Sequence, residues 1–333
     1  MLDKVRQLRR RTFLKATGTT VLGAATSSSG AAGESERVTE RTRSEHTADL
    51  IAHRGFAGLY PENTVGAVEA ASRGEPDPTA DRVRADMVEI DLIPSADGDV
   101  MVFHDDKLER LTDATGAMAD QFFWETPTEQ LQNMNVLGTN ETIPTLEQVM
   151  EAIPSDVGVN LEFKNPGSED LRFAEPLGES ELEAQKEVWM DMTERTFEVA
   201  ADYDNEILVS SFYEAALAAV REVESDVPVA FLFWGSIEDG LEITERYNAE
   251  ALHPPRNMIQ GTPFFGNEYY DGQEPDTFAD IDLVAEAHNA DREVNVWTLT
   301  TWRHTKHLEA ADVDGLIADY DGLQRFPMQD AGM

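Results

Sequence analysis

The sequence contains no cysteine and few positive charges, and each shortage excludes a class of protein or site. Without cysteine the chain can form no disulfide bond, no thiolate metal site and no thiol nucleophile. It has 26 Lys and Arg against 65 Asp and Glu, which gives a formal net charge of −39. Because proteins bind nucleic acids and anionic membranes by replacing counterions with Lys and Arg, a polyanion of this kind is not expected to bind either.

Lysine is especially scarce in the part of the chain that follows residue 36. Four lysines remain there, Lys107, Lys164, Lys186 and Lys306. An acidic, lysine-poor surface suits multimolar salt, in which the Debye length falls to about 3 Å and self-repulsion is screened. We therefore expect an extremely halophilic protein, with an ordinary acidic protein as the alternative.

Long hydrophobic runs are also missing from the N-terminus, where an export signal is expected instead. Residues 10–15 read Arg-Arg-Thr-Phe-Leu-Lys and match the twin-arginine motif, and residues 16–25 are too short and polar to span a bilayer. We expect a twin-arginine signal peptide over residues 1–33 and a polar linker over residues 34–48. The twin-arginine export machinery would then carry the protein out of the cell or to its surface, without stable membrane insertion after signal removal. The alternative is a basic amphipathic N-terminus.

Over residues 49–333, short β-rich apolar runs alternate with segments of helical periodicity. This alternation indicates βα units around a parallel sheet, and a 41% hydrophobic content can supply the core. Eight units predict a single (β/α)8 TIM barrel domain, and the alternative, a doubly wound open sheet, lacks its usual Gly-x-Gly-x-x-Gly motif. The eight predicted strands are Asp49–Ala52, Met87–Ile93, Val157–Phe163, Ile207–Ser211, Val227–Trp234, Ala249–His253, Val294–Leu299 and Gly315–Ala318.

Three carboxylates on two of these runs form a candidate metal site. Glu89 and Asp91 have the alternate spacing that directs both side chains to one face of a strand. Glu162, near the end of the next run, could join them at the C-terminal mouth of the barrel. Three oxygen ligands suit Mg²⁺ or Ca²⁺ better than Zn²⁺, whereas the alternative is that Glu89 and Asp91 are surface charges of an edge strand.

Two histidines and two cationic residues near the same strand ends are candidates for catalysis at the mouth of the barrel. Asp97-Gly98 favours a tight turn and so a short β-hairpin after the second strand, which would fold His104 back toward the carboxylates. His53 and His104 are therefore candidates for a general base and a general acid. Arg54 can make paired hydrogen bonds to phosphate oxygens, and Lys164 adds a point charge. A metal with these groups suits cleavage of a phosphate ester.

Four blocks of residues carry a resemblance to a known family and extend over nearly all of the folded part. They comprise, in order, Ala52–Gly55 with Pro61–Thr64, Val88–Asp91 with Val102–Asp105, Ile143–Leu146 with Leu161–Lys164, and Val296–Thr298 with Asp314–Tyr320. In order and spacing they resemble the glycerophosphodiester phosphodiesterase family, with its His-Arg-Gly and Pro-Glu-Asn-Thr signature. With the acidic composition, the resemblance implies a haloarchaeal-type, secreted member of that family.

The resemblance also implies a role for each matching residue. The implied roles are acid–base catalysis by His53 and His104, binding of divalent Ca²⁺ or Mg²⁺ by Glu89, Asp91, Glu162 and possibly Glu62, phosphate contact by Arg54 and Lys164, and glycerol contact by Trp297. The implied reaction is hydrolysis of a small glycerophosphodiester to glycerol phosphate and an alcohol, in which a glycerol hydroxyl attacks first and gives a cyclic phosphate.

Two other functions stay open at this stage. One is a related TIM-barrel phospholipase that acts on intact lipid, although the mouth lacks basic or aromatic membrane anchors. The other is a non-catalytic cell-surface binding protein, against which the intact histidine and carboxylate set argues.

Two insertions depart from the family pattern. Residues 75–84 are expected to form an acidic surface loop, and residues 165–187 lengthen the loop after Glu162, where the shape of the substrate is read.

Aromatic residues outside these blocks are interpreted mainly as core. Trp189, Trp234 and the pair Phe231 and Phe233 are expected to pack inside the protein. Phe264-Phe265 lies between two glycines after the sixth run, where it is either a wall for the substrate or ordinary packing.

Overall fold

The computed structural model describes residues 48–73 and 83–325. The predicted export signal, all but the last residue of the predicted linker and most of the predicted acidic insertion lie outside these residues. Among the described residues, no helix combines the length and the apolar character needed to span a membrane.

Eight parallel strands close into a barrel, so the predicted (β/α)8 fold is confirmed. Each strand pairs with its neighbour in sequence order, and the first barrel strand pairs with both the second and the last. A ninth strand runs antiparallel to the second and forms the predicted hairpin. In the described part of the chain, the strands are β1 Asp49–Ala52, β2 Met87–Pro94, β3 Val100–Val102, β4 Gly158–Phe163, β5 Ile207–Ser211, β6 Val229–Leu232, β7 Ala251–His253, β8 Glu293–Leu299 and β9 Gly315–Ala318.

Helices follow the barrel strands and begin with polar caps at several positions. Thr145, Ser236, Asp282 and Thr301 each accept a hydrogen bond from a backbone N–H of the first helical turn, which satisfies a donor that has no partner within the helix. The described α-helices are α1 Val65–Arg73, α2 Thr128–Leu131, α3 Leu146–Ala152, α4 Glu179–Ala200, α5 Glu214–Val223, α6 Ile237–Arg246, α7 Leu283–Asn289 and α8 Trp302–Ala310.

The barrel interior passes from an apolar floor to a polar mouth. Leu208, Ala230 and Ala251, from the beginnings of three strands, pack together with Met87 at the floor. Outside the barrel, one large apolar cluster fills the space between the strands and the helices. Burial on both faces accounts for the apolar character of the strands, so the polar side chains toward the C-terminal ends of the strands need a separate explanation.

A compact chain segment between β3 and α3 supports one side of the mouth of the barrel. It has its own apolar cluster, in which the rings of Phe103 and Phe123 stack with their centres 4.6 Å apart. Phe103 follows β3 directly, and its N–H donates to the backbone O of Asp91. The next residue, His104, is thereby held at the mouth of the barrel, as the hairpin argument predicted.

Candidate active site

The turn after β1 brings the first histidine and arginine to the mouth. His53–Gly55 form a single helical turn in which Arg54 has a left-handed backbone conformation, with φ of 51°. Gly55 follows with φ of 75°, and a Cβ there would lie 2.9 Å from the Cβ of Ala67. Glycine is therefore needed for both the conformation and the close approach to α1. The N–H of Arg54 donates to Oε2 of Glu89 at 2.7 Å, which joins β1 to β2 at the mouth.

Glu89, Asp91 and Glu162 form a buried carboxylate cluster. Each offers one oxygen, and these three oxygens lie within 4.8 Å of one another. Their exposed fractions are 1%, 0% and 7%. Glu89 and Asp91 alternate along β2, and Asp91 pairs in register with Glu162 on β4, so the predicted convergence of the three side chains is observed.

Two cations border the cluster but do not neutralise it. Arg54 approaches Oδ2 of Asp91 with Nε at 3.2 Å and binds Glu62 through Nη1 at 2.7 Å. Lys164 approaches Oε1 of Glu162 at 2.7 Å and Oδ1 of Asp91 at 3.8 Å. The two cations therefore face three clustered carboxylates and Glu62 as well, so negative charge is in excess.

Burial and the neighbouring charges shift the pKa values of all three carboxylates. Burial raises the pKa of Glu89 well above its usual range, and the charges of Asp91 and Glu162 raise it further. Burial also raises the pKa of Glu162, against the opposing effect of Lys164. For Asp91, burial is outweighed, chiefly by the charge of Arg54, and the pKa falls well below its usual range. Like charges this close cannot all ionise without a further cation.

A divalent cation fits this cluster. Oε1 of Glu89 and Oδ1 of Asp91 are buried without any hydrogen-bond partner, which is costly for a carboxylate in a folded protein. Three carboxylate oxygens, with no sulfur or imidazole among them, match the preference of Ca²⁺ and Mg²⁺. The cluster can therefore hold a divalent metal ion, in agreement with the sequence prediction.

The two histidines border the same cavity, and each is oriented by a carboxylate. Nδ1 of His53 lies 2.6 Å from Oδ1 of Asp319, at the end of β9. Nδ1 of His104 lies 2.5 Å from Oδ1 of Asp105. A carboxylate accepts from an Nδ1–H, so Nε2 of each ring is the nitrogen that can exchange a proton. Burial lowers the pKa of His104 to about 4, and the charge of Lys164 lowers it in the same direction.

A second layer of ion pairs holds the arginine and the histidine in place. Arg110 contacts Glu62 at 3.0 Å and Asp105 at 2.5 Å, so it links the partner of Arg54 to the partner of His104. Burial alone would raise the pKa of Glu62, but hydrogen bonds and charge from Arg110 and Arg54 lower it. Behind them, the side chain of Asn63 donates to Oδ2 of Asp91 at 2.7 Å.

Aromatic side chains form the other half of the cavity. The cavity has a volume of about 380 Å³, within the range of small-molecule sites. Trp297 is buried, and its Nε1–H donates to the backbone O of His253 at 2.8 Å. The remaining aromatic residues that line it are Phe173, Phe212, Trp234 and Tyr270.

The structure brings the predicted site residues together. The predicted residues that line the cavity are His53, Arg54, Glu89, His104, Glu162, Lys164 and Trp297. Asp91 lies behind them in the carboxylate cluster. Glu62 is occupied by Arg54 and Arg110 and does not belong to that cluster, so its role in metal binding stays a prediction.

The aromatic interpretation from sequence was partly wrong. Trp189, Phe231 and Phe233 are fully buried, as predicted. Trp234 instead lines the cavity. Phe264 is fully buried against the rings of His304 and His307, so it forms no wall for a substrate.

Several residues of the site had no assigned role from sequence. The position of Asp319 at a strand end was visible, but its contact with His53 spans 266 residues and needs the closed barrel. Phe173 lies in the insertion after Glu162, whose position signalled substrate contact without indicating which residue provides it. For Phe212 and Tyr270 the sequence carried no signal.

Comparisons with known proteins identify the family of the chain. The model described as "Glycerophosphoryl diester phosphodiesterase family" matches residues 53–323. A glycerophosphodiester phosphodiesterase of Bacillus altitudinis is 26% identical over 279 residues, which cover 81% of this chain and 94% of the relative. A Bacillus subtilis (strain 168) protein, named putative glycerophosphodiester phosphodiesterase YhdW, is 25% identical over 277 residues, with 81% and 94% of the two chains covered.

Solved structures show the same fold. A phosphodiesterase of Oleispira antarctica, determined in complex with the product sn-glycerol-3-phosphate, is similar with a TM-score of 0.62 and 24% identity, over 84% of this chain and 96% of that one. A protein of Silicibacter pomeroyi DSS-3, called a putative glycerophosphoryl diester phosphodiesterase, has a TM-score of 0.63 and 20% identity, over 85% and 93%. From the extent of the family match, this chain belongs to the glycerophosphoryl diester phosphodiesterase family.

Proposed function

We propose that this enzyme hydrolyses small glycerophosphodiesters to glycerol phosphate and an alcohol, with help from a divalent Ca²⁺ or Mg²⁺ ion. The observation that carries the proposal is the convergence of two carboxylate-oriented histidines, two cations and a buried triad of carboxylates on one cavity. The family match over residues 53–323 supports the same reaction.

In this proposal the phosphate lies on the charged half of the cavity. Arg54 and Lys164 donate to its oxygens, and their fixed partners reduce the loss of entropy on binding. Glu89, Asp91 and Glu162 would hold the metal ion. A divalent ion, when bound, supplies positive charge that stabilises the charge developing on the phosphoryl oxygens.

The histidine pair moves the protons. Nε2 of one ring accepts a proton from the attacking hydroxyl, which belongs to the glycerol or to water, and Nε2 of the other delivers a proton to the leaving alcohol oxygen. Asp319 and Asp105 hold Nδ1 of His53 and His104, respectively, so each ring keeps its orientation during the transfer. The glycerol part would lie against Trp297, as the family resemblance implies.

The cavity volume of about 380 Å³ favours a small diester over an intact two-chain lipid. A binding protein without catalysis would need neither oriented histidine, so the His53–Asp319 and His104–Asp105 pairs favour the enzyme.

The test is release of glycerol phosphate from glycerophosphocholine by the purified protein in high salt, with and without EDTA. We expect release that EDTA abolishes, and a loss of about 10²–10⁴-fold in kcat for His53→Ala and for His104→Ala. His288→Ala, at an exposed position of α7, is the matched control and keeps full activity. Release that survives chelation would contradict the metal site, and active, folded histidine variants would contradict the acid–base pair.

The proposal extends to where the enzyme acts. The twin-arginine motif at residues 10–15 supports export after folding, with secretion or attachment outside the cell, and the charge of −39 supports adaptation to high salt. A pulse–chase experiment on the full chain checks this: replacing both Arg10 and Arg11 with lysine should leave the precursor inside the cell. Normal export of that variant would contradict the proposed route.

A further inference from the structure

We propose that Arg256 is a positioning residue, which acts through Tyr270 on the part of the cavity where Trp297 would contact glycerol. The inference rests on the proposed function, because the contact of Trp297 with glycerol is part of that proposal. Arg256 lies in the helical turn Arg256–Met258 that follows β7, and it does not line the cavity itself. Its contribution is therefore made through the residues that it holds.

The pairing of β8 with its neighbours is interrupted at Trp297. β8 pairs with β9 in regular register as far as Val296, and the pairing resumes at Leu299. Between these pairs, Trp297 and Thr298 stand opposite a single residue of β9, Ile317. On the other side, β7 pairs with the first two residues of β8, and one isolated bridge joins Pro255 to Trp297. An irregularity of this kind can direct a side chain into a site, but its backbone groups need other partners.

Arg256 and Tyr270 supply those partners. The N–H of Thr298 donates to the hydroxyl oxygen of Tyr270 at 3.1 Å, and the backbone O of Thr298 accepts from Nη1 of Arg256 at 2.8 Å. The same Nη1 donates to the hydroxyl oxygen of Tyr270 at 2.6 Å. Because this oxygen accepts from both donors, its own proton is directed to the backbone O of Trp297, 3.4 Å away. Two side chains thus hold the backbone at the point where the sheet pairing is interrupted.

These contacts require an arginine rather than any cation. The guanidinium lies over the rings of Tyr269 and Tyr270, at 4.3 and 5.2 Å from their centres, while Nη1 donates to two acceptors. A planar group with several fixed donors can stack and donate at once, whereas a lysine ammonium cannot. Among the described residues, no carboxylate forms an ion pair with Arg256, although the chain has 65 acidic residues. Its hydrogen-bond acceptors instead belong to Tyr270 and Thr298, which both line the cavity.

The ring of Trp297 depends on this backbone for its position. Its Nε1–H donates to the backbone O of His253, and its plane lies within 10° of Trp234 and at 84° to Phe212. Phe212 in turn stacks on Phe173 at 28°, so Trp297 belongs to one of two stacked pairs that meet nearly at a right angle. A shift of the backbone at Trp297 would move the surface that glycerol contacts, and a misplacement of about 1 Å can cost about 100-fold in rate.

The test measures the dissociation constants of racemic glycerol 3-phosphate and of inorganic phosphate, by calorimetric titration in high salt with Mg²⁺ present. Both ligands use the charged half of the cavity, and only the first also reaches Trp297. We expect Arg256→Lys and Tyr270→Phe each to weaken binding of glycerol phosphate by about tenfold and to change phosphate binding by less than about threefold. Arg292→Lys is the matched control with both constants unchanged, because Arg292 also donates to a backbone carbonyl, that of Ala249, but just before β7 and β8 begin.

Kinetics and a double variant test the route through Tyr270. In each single variant, kcat/KM for glycerophosphocholine should fall by about tenfold. Because Arg256 and Tyr270 act through one hydrogen-bonded unit, the double variant should lose no more than about threefold beyond the larger single loss. Additive losses would mean that the two residues act independently and would overturn this route.

The outcomes separate this inference from the proposed function. If the wild type binds glycerol phosphate but cleaves no glycerophosphodiester, the proposed reaction fails, and the binding measurement still decides the role of Arg256. If Arg256→Lys weakens both ligands equally, the substitution disturbs the whole site, and if it weakens neither, Arg256 has no part in the site. Either result overturns the inference, as does a wild type that binds phosphate and glycerol phosphate equally well.

Discussion

Glu62 and Glu162 lie at the same mouth, yet their partners differ. Glu162 is one of three carboxylates whose oxygens converge within 4.8 Å. Both carboxylate oxygens of Glu62 instead accept hydrogen bonds from Arg54 and Arg110. A carboxylate that only orients a cation affects phosphate binding, whereas a carboxylate that binds metal affects metal affinity, so the two roles can be separated by measurement.

We expect Glu162→Gln to weaken Ca²⁺ or Mg²⁺ binding by tenfold or more, on the order of effects known for metal-site residues. Glu62→Gln should leave metal affinity within about threefold and lower kcat/KM by about 10–100-fold, because Arg54 loses its anchor. Isothermal titration of metal into both variants, with kinetics on the same samples, checks this. Equal losses of metal affinity in the two variants would instead make Glu62 a ligand.

His253 is a buried histidine at the end of β7 beside the cavity, and its burial predicts a pH dependence of stability. It is fully buried and receives a contact from Nδ2 of Asn295 at 3.2 Å on Nε2, while its Nδ1 has no partner. Burial lowers the pKa of His253 to about 3. In the unfolded chain the pKa is about 6.5, so between these values the unfolded state binds the extra proton.

The stabilising effect of neutral His253 is therefore fully present above pH 6.5 and declines as the pH falls toward 3. From pH 7 to pH 5 we expect this group to remove about 2 kcal/mol from the free energy of unfolding. Urea unfolding of the wild type and of His253→Gln at both pH values isolates the contribution of His253, because all other titrating groups are the same in the two proteins. A variant with the same pH slope as the wild type would refute it.

At the scale of elements, one buried carboxylate links the segment between β4 and α4 to two helices outside the barrel strands. Glu214, at the first position of α5, is fully buried. It accepts hydrogen bonds from the N–H of Leu177, from Arg246 and from the hydroxyl of Tyr247. This carboxylate thus connects α5 and α6 to the segment that carries Phe173.

We expect Glu214→Ala to lower the free energy of unfolding by about 2–3 kcal/mol, because it removes the buried partner of Arg246 and leaves the buried N–H of Leu177 unpaired. Arg246 is about a third exposed, which keeps the loss below that of a fully buried pair. Glu242→Ala removes an exposed partner of the same arginine and should change stability by less than about 1 kcal/mol. Chemical denaturation of both variants makes the comparison, and similar losses would contradict the link through Glu214.

At the scale of the whole molecule, the excess of 65 acidic over 26 basic residues predicts a dependence of stability on salt. Self-repulsion between like charges destabilises the compact state, and it is screened only at high ionic strength. We expect activity and the folded-state circular dichroism signal to be lost together on dilution to about 0.1 M salt. Full activity at that concentration would refute the adaptation to salt.

The prediction of the fold succeeded because the parallel strands are buried on both faces. That environment produces apolar runs, and β1, β5 and β9 begin and end where the runs predict. Local contacts of the site set another boundary: α1 begins only at Val65, because Glu62 and Asn63 before it belong to the site.

The charged half of the site was predictable because its residues lie within short, polar motifs at strand ends. In the aromatic half, the family resemblance indicated Trp297 alone. Phe173, Phe212 and Tyr270 come from three distant segments, and an aromatic residue that lines a cavity has the same local sequence pattern as one in the core. Trp234 was misassigned for this reason.

The sequence by itself determined the barrel, the carboxylate triad and the histidine pair, since periodicity and residue chemistry are local properties of the chain. Only the tertiary structure decided which groups meet: His53 with Asp319, Glu62 with the two arginines, and two pairs of rings at right angles. Those contacts depend on closure of the barrel, where β1 pairs with both β2 and β9, and closure brings together residues that no local pattern relates.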